Sequence, residues 1–306
     1  MRWKLKALLQ NSIARLPEPW SQACYFAVQC AAGSFRHPTV SVYSQAANRL
    51  RFYIERHGGR IDGATFLEVG TGRNLTLPVL LWLMGAERVY TVDLHRYLRM
   101  PIVRLDLQAL AASTVVPDCQ LDRLDKLREF LSTKWQLSAL MDLCAIDYSA
   151  PADAARLKLP DASIDYHVSR TVFEHIPAKD LERILIESGR LLRPDGLAIH
   201  LVDYSDHFSH SDAAISAINF LQYDDQDWAR LAGNSFMYMN RLRADDYPSI
   251  YATAGQAIVS IESSQAPALL AQLDDPSFRL AERFGGKDRD TLITTSSWII
   301  SRPLGR

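Results

Sequence analysis

The sequence predicts an α/β fold built on a doubly wound, mostly parallel sheet. Three observations predict it. Strand-like and helix-like segments alternate from residue 61 to residue 202, the pattern of successive βα units. The first strand-like run, residues 64–69, feeds directly into Gly70-Thr71-Gly72 and then into an apolar helical stretch, the way such a sheet opens a ligand pocket. Pro194-Asp195-Gly196 turns the chain between a helical run and another strand, Pro presetting φ and Gly permitting the tight turn.

The elements follow in order. In residues 1–16, Leu5, Leu8, Leu9, Ser12, Ile13 and Leu16 recur at helical spacing, with Lys4, Gln10, Asn11 and Arg15 largely elsewhere on the wheel. Pro17 and Pro19 end that helix. Gln10, Asn11 and Arg15 break the apolar run before a signal-peptide core forms. The apolar face is expected to pack on the main domain, because the polar face lacks the charge density of a surface anchor. Weak peripheral membrane contact through residues 1–16 is the alternative. Next come a helix over 75–84 closed by Gly85, a β-branched strand over 88–92 ending at Asp93, and a helical stretch over 119–141 with Leu121, Leu124, Leu127, Leu131 and Leu137. Strands over 145–148 and 164–169, a helix over 180–192 and a strand over 197–202 complete the alternation. Beyond residue 203 periodicity weakens, with a helix over 245–254 and late strands over 257–261 and 291–300. No Ser/Gly-rich linker divides the chain, so the expected organisation is a helical extension (1–60) and one domain (61–302) holding a substrate cap (204–247).

Composition narrows the class. The 306 residues are 48% hydrophobic and 23% charged, which excludes a disordered chain, a collagen-like chain and a disulfide mini-scaffold. Lys plus Arg number 34 against 35 Asp plus Glu, a formal charge of −1, so no nucleic-acid partner is expected. Cys24, Cys30, Cys119 and Cys144 show no two-residue gap and read as structural thiols of a reducing compartment. No run reaches the ~18 apolar residues of a span, and a cytoplasmic location is expected. Nothing in the sequence indicates an oligomeric state.

The segment that carries chemistry is Glu68-Val69-Gly70-Thr71-Gly72-Arg73-Asn74. Glycine lets backbone approach a ligand closely. A dinucleotide fingerprint would continue to a third Gly, where Leu75 stands, and would not need an acid two residues before the first. An acid-x-Gly-x-Gly turn instead suits a ligand with an ammonium group and no pyrophosphate. On these residues the chain resembles the class I S-adenosylmethionine-dependent methyltransferases of the type 11 kind. Asn74 stands where many members have another Gly. Three further motifs in order extend the resemblance over residues 61–302: Asp93 twenty-five residues after Glu68, Asp153-Ala154 followed by Leu159-Pro160 and Asp165, and the Leu192-Arg193-Pro194-Asp195-Gly196 turn.

The resemblance implies a Rossmann-like seven-stranded sheet closed by a late antiparallel hairpin, and S-adenosylmethionine as cofactor. It implies a cofactor pocket of Glu68, Gly70, Thr71, Gly72, Asp93, Leu94, Asp153, Ala154 and Ser169. Asp93 would take the ribose hydroxyls and Asp153 the adenine amino group, with Asp147 a rival for the latter. The acceptor side should lie at the ends of the strands that finish at Ser169 and Asp203. Arg170-Thr171-Val172-Phe173-Glu174-His175 follows the first, and Tyr204-Ser205-Asp206-His207 follows the second. Each pairs a His with an acid, suited to taking a hydroxyl proton, so His207, His175 and Asp203 are the candidate catalytic residues. Some relatives bind metal through Glu-x-x-Glu-His after the fourth strand. Thr171 replaces the first Glu here, so a divalent metal is an option that is not favoured. The expected activity is methyl transfer to a small-molecule or carbohydrate-type acceptor, first at oxygen. Alternatives are N-methylation, a nicotinamide-dependent oxidoreductase and a non-catalytic partner subunit.

Overall fold

In a computed structural model, residues 2–113 and 119–305 are described. Three helices come first: α1 (Trp3–Ala14), α2 (Trp20–Ala31) and α3 (Val40–Arg56). Then follow β1 (Thr65–Val69), α4 (Thr76–Leu83), β2 (Arg88–Val92), α5 (Met100–Ala112), α6 (Leu121–Leu131), α7 (Leu137–Leu143), β3 (Ile146–Ser149) and β4 (Ile164–Arg170). The chain continues through α8 (Ala178–Leu191), β5 (Leu192–Asp203), α9 (Asp225–Ala232), α10 (Tyr247–Thr253), β6 (Gln256–Gln265), α11 (Leu270–Leu273), α12 (Arg289–Ile293) and β7 (Thr294–Pro303).

The seven strands form one sheet in the order β3-β2-β1-β4-β5-β7-β6. Pairs among β1 to β5 are parallel, while β7 runs antiparallel to β5 and β6. The predicted doubly wound sheet with a late antiparallel hairpin is therefore the fold observed. Strand order reverses at β1 and β4, which puts their C-terminal ends at the switch point where such sheets bind ligands. β1 is buried along its whole length, as a central parallel strand covered on both faces should be. One face carries Leu50, Tyr53, Leu80, Val103 and Leu107 from α3, α4 and α5. The other carries Leu181, Leu185, Tyr247 and Tyr251 from α8 and α10.

Three local expectations are corrected. Residues 119–141 do not form one helix: α6 and α7 are separate, and Trp135 is buried between them against Phe130. Leu121 is 72% exposed, because only the Leu124–Leu127 side of α6 faces the core. In α1 the buried side is Trp3, Ala7, Gln10 and Ile13, so the leucine face expected to pack inward points to solvent instead. Trp3 anchors the helix through its ring against Phe208 and Tyr223 and its N–H to Asp212 Oδ2 at 2.7 Å. A buried Trp in an aromatic cluster fixes which side of the helix faces the body. Thirdly, β6 is longer than expected, extending over an exposed edge to Gln265.

Residues 204–247 contain an aromatic satellite core in which Phe208, Phe220, Leu221, Trp228 and Met237 pack with Trp3 and Phe284. Arg243 is fully buried and spends its guanidinium on four backbone carbonyls: Tyr204 (2.7 Å), Thr291 (2.9 Å), Leu292 (2.9 Å) and Thr294 (2.5 Å). Arg241 is likewise buried and pairs with Asp225. Arg243 ties the segment to the start of β7, while Arg241 holds it together internally through Phe220, Tyr223 and Asp225.

Candidate active site

A cleft of about 730 Å³ opens over the C-terminal ends of β1, β2 and β4. Its floor is the turn after β1. Gly70 sits at φ +88° and Gly72 at φ +68°, the left-handed region that Gly enters freely. A Cβ on Gly70 would stand 2.3 Å from Val172 Cγ2, whereas one on Gly72 would meet nothing within 4 Å. The first glycine thus allows close packing of the two strand ends, and the second leaves open space inside the cleft. Asn74, where a third Gly would stand, accepts the Thr76 N–H on Oδ1 at 3.1 Å and so shapes the start of α4.

Glu68 is buried beneath this floor. Its Oε2 accepts the Thr91 hydroxyl at 2.5 Å, and Thr91 also meets the Thr71 hydroxyl at 2.6 Å. Burial pushes its pKa up to about 7; the Asp93 charge adds to this, while the Thr91 hydrogen bond and Arg170 oppose it. Asp93, at the end of β2, accepts the Gly72 N–H at 2.9 Å and the His95 N–H at 3.2 Å. Burial raises its pKa too, against those backbone hydrogen bonds.

Thr71, Leu94, Asp153 and Ala154 line the same cleft with Gly70, Gly72 and Asp93. Asp153 accepts the Ala155 N–H at 2.9 Å and lies 3.2 Å from Arg183. The rival Asp147 is half exposed on β3, paired to Arg88 at 2.6 Å, and is not among the lining residues. Ser169 is buried in β4 and does not line the cleft.

The candidate catalytic residues separate into a front and a back. His175 reaches the cleft wall. Its Nδ1 stands 2.7 Å from the Tyr238 carbonyl. A carbonyl only accepts, so Nδ1 carries the hydrogen and Nε2 a lone pair. Burial, then the His207 charge, lowers the His175 pKa to about 4. His207 and Asp203 do not line the cleft. His207 Nε2 lies 3.5 Å from Asp203 Oδ2 and 4.0 Å from Glu174 Oε1, distances of charge attraction that are long for hydrogen bonds. The Asp203 carboxyl is pushed up by burial and overruled by His207 and Ser205, which hold it at about 2. Glu174 is fully buried, which raises its pKa far above the usual range. Neither of its oxygens meets a hydrogen-bond partner among the described residues, and nor does His207 Nε2. Ligand atoms of Glu174, His175 and His207 all lie within 4.8 Å of one another.

The sequence reading missed several lining residues. Gln22, Tyr25 and Gln29 of α2, Tyr43 of α3, Arg73 and Arg170 complete the walls, together with Phe236 and Tyr238 of the expected cap segment. Arg170 lies over the Tyr43 ring, 5.0 Å from its centroid. The available signal was Arg73 and Arg170 themselves, the first inside the glycine-turn motif and the second opening the segment after Ser169. In contrast, Asn219, Trp228, Arg241 and Arg243 of the expected cap segment do not line the cleft. They belong to the packing of residues 204–247.

Residues 67–200 match a family model described as a methyltransferase domain. No curated protein matches the chain. Among solved structures, an S-adenosylmethionine-dependent methyltransferase of Methanosarcina mazei is 15% identical, covers 83% of this chain and 98% of its own, and has a TM-score of 0.45. The magnesium protoporphyrin IX methyltransferase of Synechocystis, solved with bound S-adenosylhomocysteine, is 12% identical (85% and 82% covered, TM-score 0.46). A (4+2)-cyclase is 15% identical (85% and 83% covered, TM-score 0.45). At these identities each is a likeness of fold and nothing more.

Proposed function

Residues 67–200 being a class I S-adenosylmethionine-dependent methyltransferase domain, we propose that the chain methylates a hydroxyl of a small-molecule or carbohydrate-type acceptor. The residues of the cleft floor fit the cofactor. Gly72 leaves open space, Asp93 offers a carboxylate at a strand end, and Glu68 lies under the turn where an ammonium group would sit. In this reading Gly70, Thr71 and Gly72 cradle the amino-acid part, Asp93 and Leu94 hold the ribose, and Asp153 and Ala154 meet the adenine, with Ser169 supporting from β4. When bound, S-adenosylmethionine supplies an electrophilic methyl group.

His175 carries the choice of oxygen over nitrogen. It is the candidate base on the cleft wall, and its Tyr238 contact turns Nε2 into the proton acceptor. Nε2 is placed to take the acceptor's O–H proton; with the cofactor bound, the methyl carbon would exchange its bond to sulfur for one to that oxygen and S-adenosylhomocysteine would leave. Asp203 and His207 act behind it as positioning residues. An amine acceptor would need less help in losing its proton.

Calorimetric titration with S-adenosylhomocysteine, with NADH as control, tests the first part. Binding of the former alone, lost in Asp93→Ala, supports the reading; binding of NADH or an unaffected Asp93→Ala overturns it. Transfer of labelled methyl to hydroxylated acceptors, reduced at least about a hundredfold in His175→Ala, tests the second. A His175→Ala rate within a few-fold of wild type overturns the base assignment.

One observation favours a second reading, in which Glu174, His175 and His207 hold a divalent cation that activates the acceptor oxygen. A buried carboxylate with both oxygens unpartnered is costly unless something neutralises it. Metal analysis of the purified protein decides: about one equivalent, lost in Glu174→Gln, supports the cation, and none after incubation with zinc or manganese removes it.

A further inference from the structure

We propose that the outward faces of α1 and α2 dock on an anionic lipid surface. Leu5 is 58% exposed, Leu8 63%, Leu16 42% and Trp20 66%. Leu5 and Leu8 lie on the side of α1 opposite Trp3, Ala7, Gln10 and Ile13, which pack on the body of the protein, and Leu16 follows just past the helix end. A second exposed stripe runs from Trp20 along α2 through Ala23, Ala27 and Cys30. Their spacing of three and four residues puts them on one side of that helix. Tyr25 of α2 faces inward, where its hydroxyl accepts a hydrogen bond from Gln10 at 2.7 Å. The two helices therefore meet through Gln10 and Tyr25, and each leaves an exposed apolar side.

Charge chooses the occupant. Arg2, Lys4 and Arg15 are exposed beside the stripe, and Lys6 bonds Ser211. Glu18 is the one acid among residues 1–20. A basic rim around Leu and Trp matches the headgroup boundary of an anionic bilayer, where Trp is favoured. The same rim would repel itself in a symmetric contact between two copies. The described helices include none long and apolar enough to cross a membrane, so the contact lies in the plane of the surface. Gln22, Tyr25 and Gln29 line the cleft from the inner side of α2. Docking would therefore hold the cleft about one helix diameter behind the lipid surface.

The test is flotation of the full chain with vesicles of phosphatidylcholine alone or mixed with phosphatidylglycerol. Partition to the anionic vesicles is expected to be roughly tenfold stronger or more, and to weaken with salt. Leu5→Ser with Leu8→Ser and Trp20→Ser should abolish it while leaving the thermal unfolding midpoint unchanged, since these side chains bury little. Lys4→Glu with Arg15→Glu, which leaves the apolar stripe intact, should weaken it selectively on anionic vesicles. Brominated acyl chains should quench the wild type more than Trp20→Phe. The inference is overturned if no vesicle binds or if the triple variant floats equally well. It is also overturned if the stripe instead mediates a dimer in sedimentation that the same substitutions dissociate. These readouts do not depend on methyl transfer.

Discussion

Gly70 and Glu68 show how single residues set the cleft floor. Gly70 combines a φ of +88° with a Cβ position 2.3 Å from Val172. Gly70→Ala should therefore cost about 1–3 kcal/mol in urea unfolding and weaken S-adenosylhomocysteine binding. Adding Val172→Ala should return only part of the stability, since it relieves the clash and leaves the strained φ. Full recovery would show that φ carries no cost there. Glu68 makes a pH prediction. Its folded pKa of about 7 lies above the ordinary value of 4.5. Between these two values the folded state binds more protons than the unfolded one, so stability falls as pH rises from about 4.5 to about 7. The loss is at most about 3 kcal/mol at roughly 1.4 kcal/mol per pH unit. Glu68→Gln, which keeps an acceptor for Thr91, should flatten that part of the stability profile. A Gln variant with the wild-type slope would place the titration elsewhere.

Elements differ in how far the sequence announces them. The βα alternation, the turn at Gly70 to Gly72 and the Pro194-Asp195-Gly196 turn were legible because each rests on local chemistry: apolar period, glycine φ and proline φ. The face chosen by α1 was not, because Leu5 and Leu8 satisfy a helical period whichever side packs. The outcome depends on Phe208 and Asp212, some two hundred residues away. The place of Arg243 was not legible for the same reason. An arginine near aromatics looks like a pocket residue until the carbonyls at Tyr204, Thr291, Leu292 and Thr294 are brought around it. It joins the end of β5 to the start of β7. Arg243→Met should destabilise the protein by about 3–5 kcal/mol, leaving four buried carbonyls short of a donor. Arg243→Lys should recover little, as an ammonium cannot reproduce the planar fork. Equal midpoints for Arg243→Lys and wild type in chemical denaturation would contradict this account.

At the scale of the whole molecule, the N-terminal helices are part of the cleft and are held there from far along the chain. α2 and α3 contribute Gln22, Tyr25, Gln29 and Tyr43 to its walls, while Phe236 and Tyr238 come from the segment after α9. Tyr25 stacks on Phe236 with centroids 4.2 Å apart, so the two walls meet. α1 ties both to the body through Trp3, and through Asn11, whose side-chain oxygen accepts from Asn234 at 2.8 Å. Trp3 is the stronger tie, since it buries an aromatic ring in the satellite core. Trp3→Ala should cost about 3–5 kcal/mol in local stability. That ring belongs to a hydrophobic cluster separate from the two that hold β1 and β4, so the loss should appear first as opening of α1, α2 and residues 204–240. Hydrogen exchange should show faster amide exchange in those segments, with protection in β1 and β4 retained. The cleft would then lose one wall, and S-adenosylhomocysteine affinity should fall even though Gly70, Gly72 and Asp93 are untouched. Uniform loss of protection across the sheet would instead mean that the helical extension and the sheet unfold as a single cooperative unit.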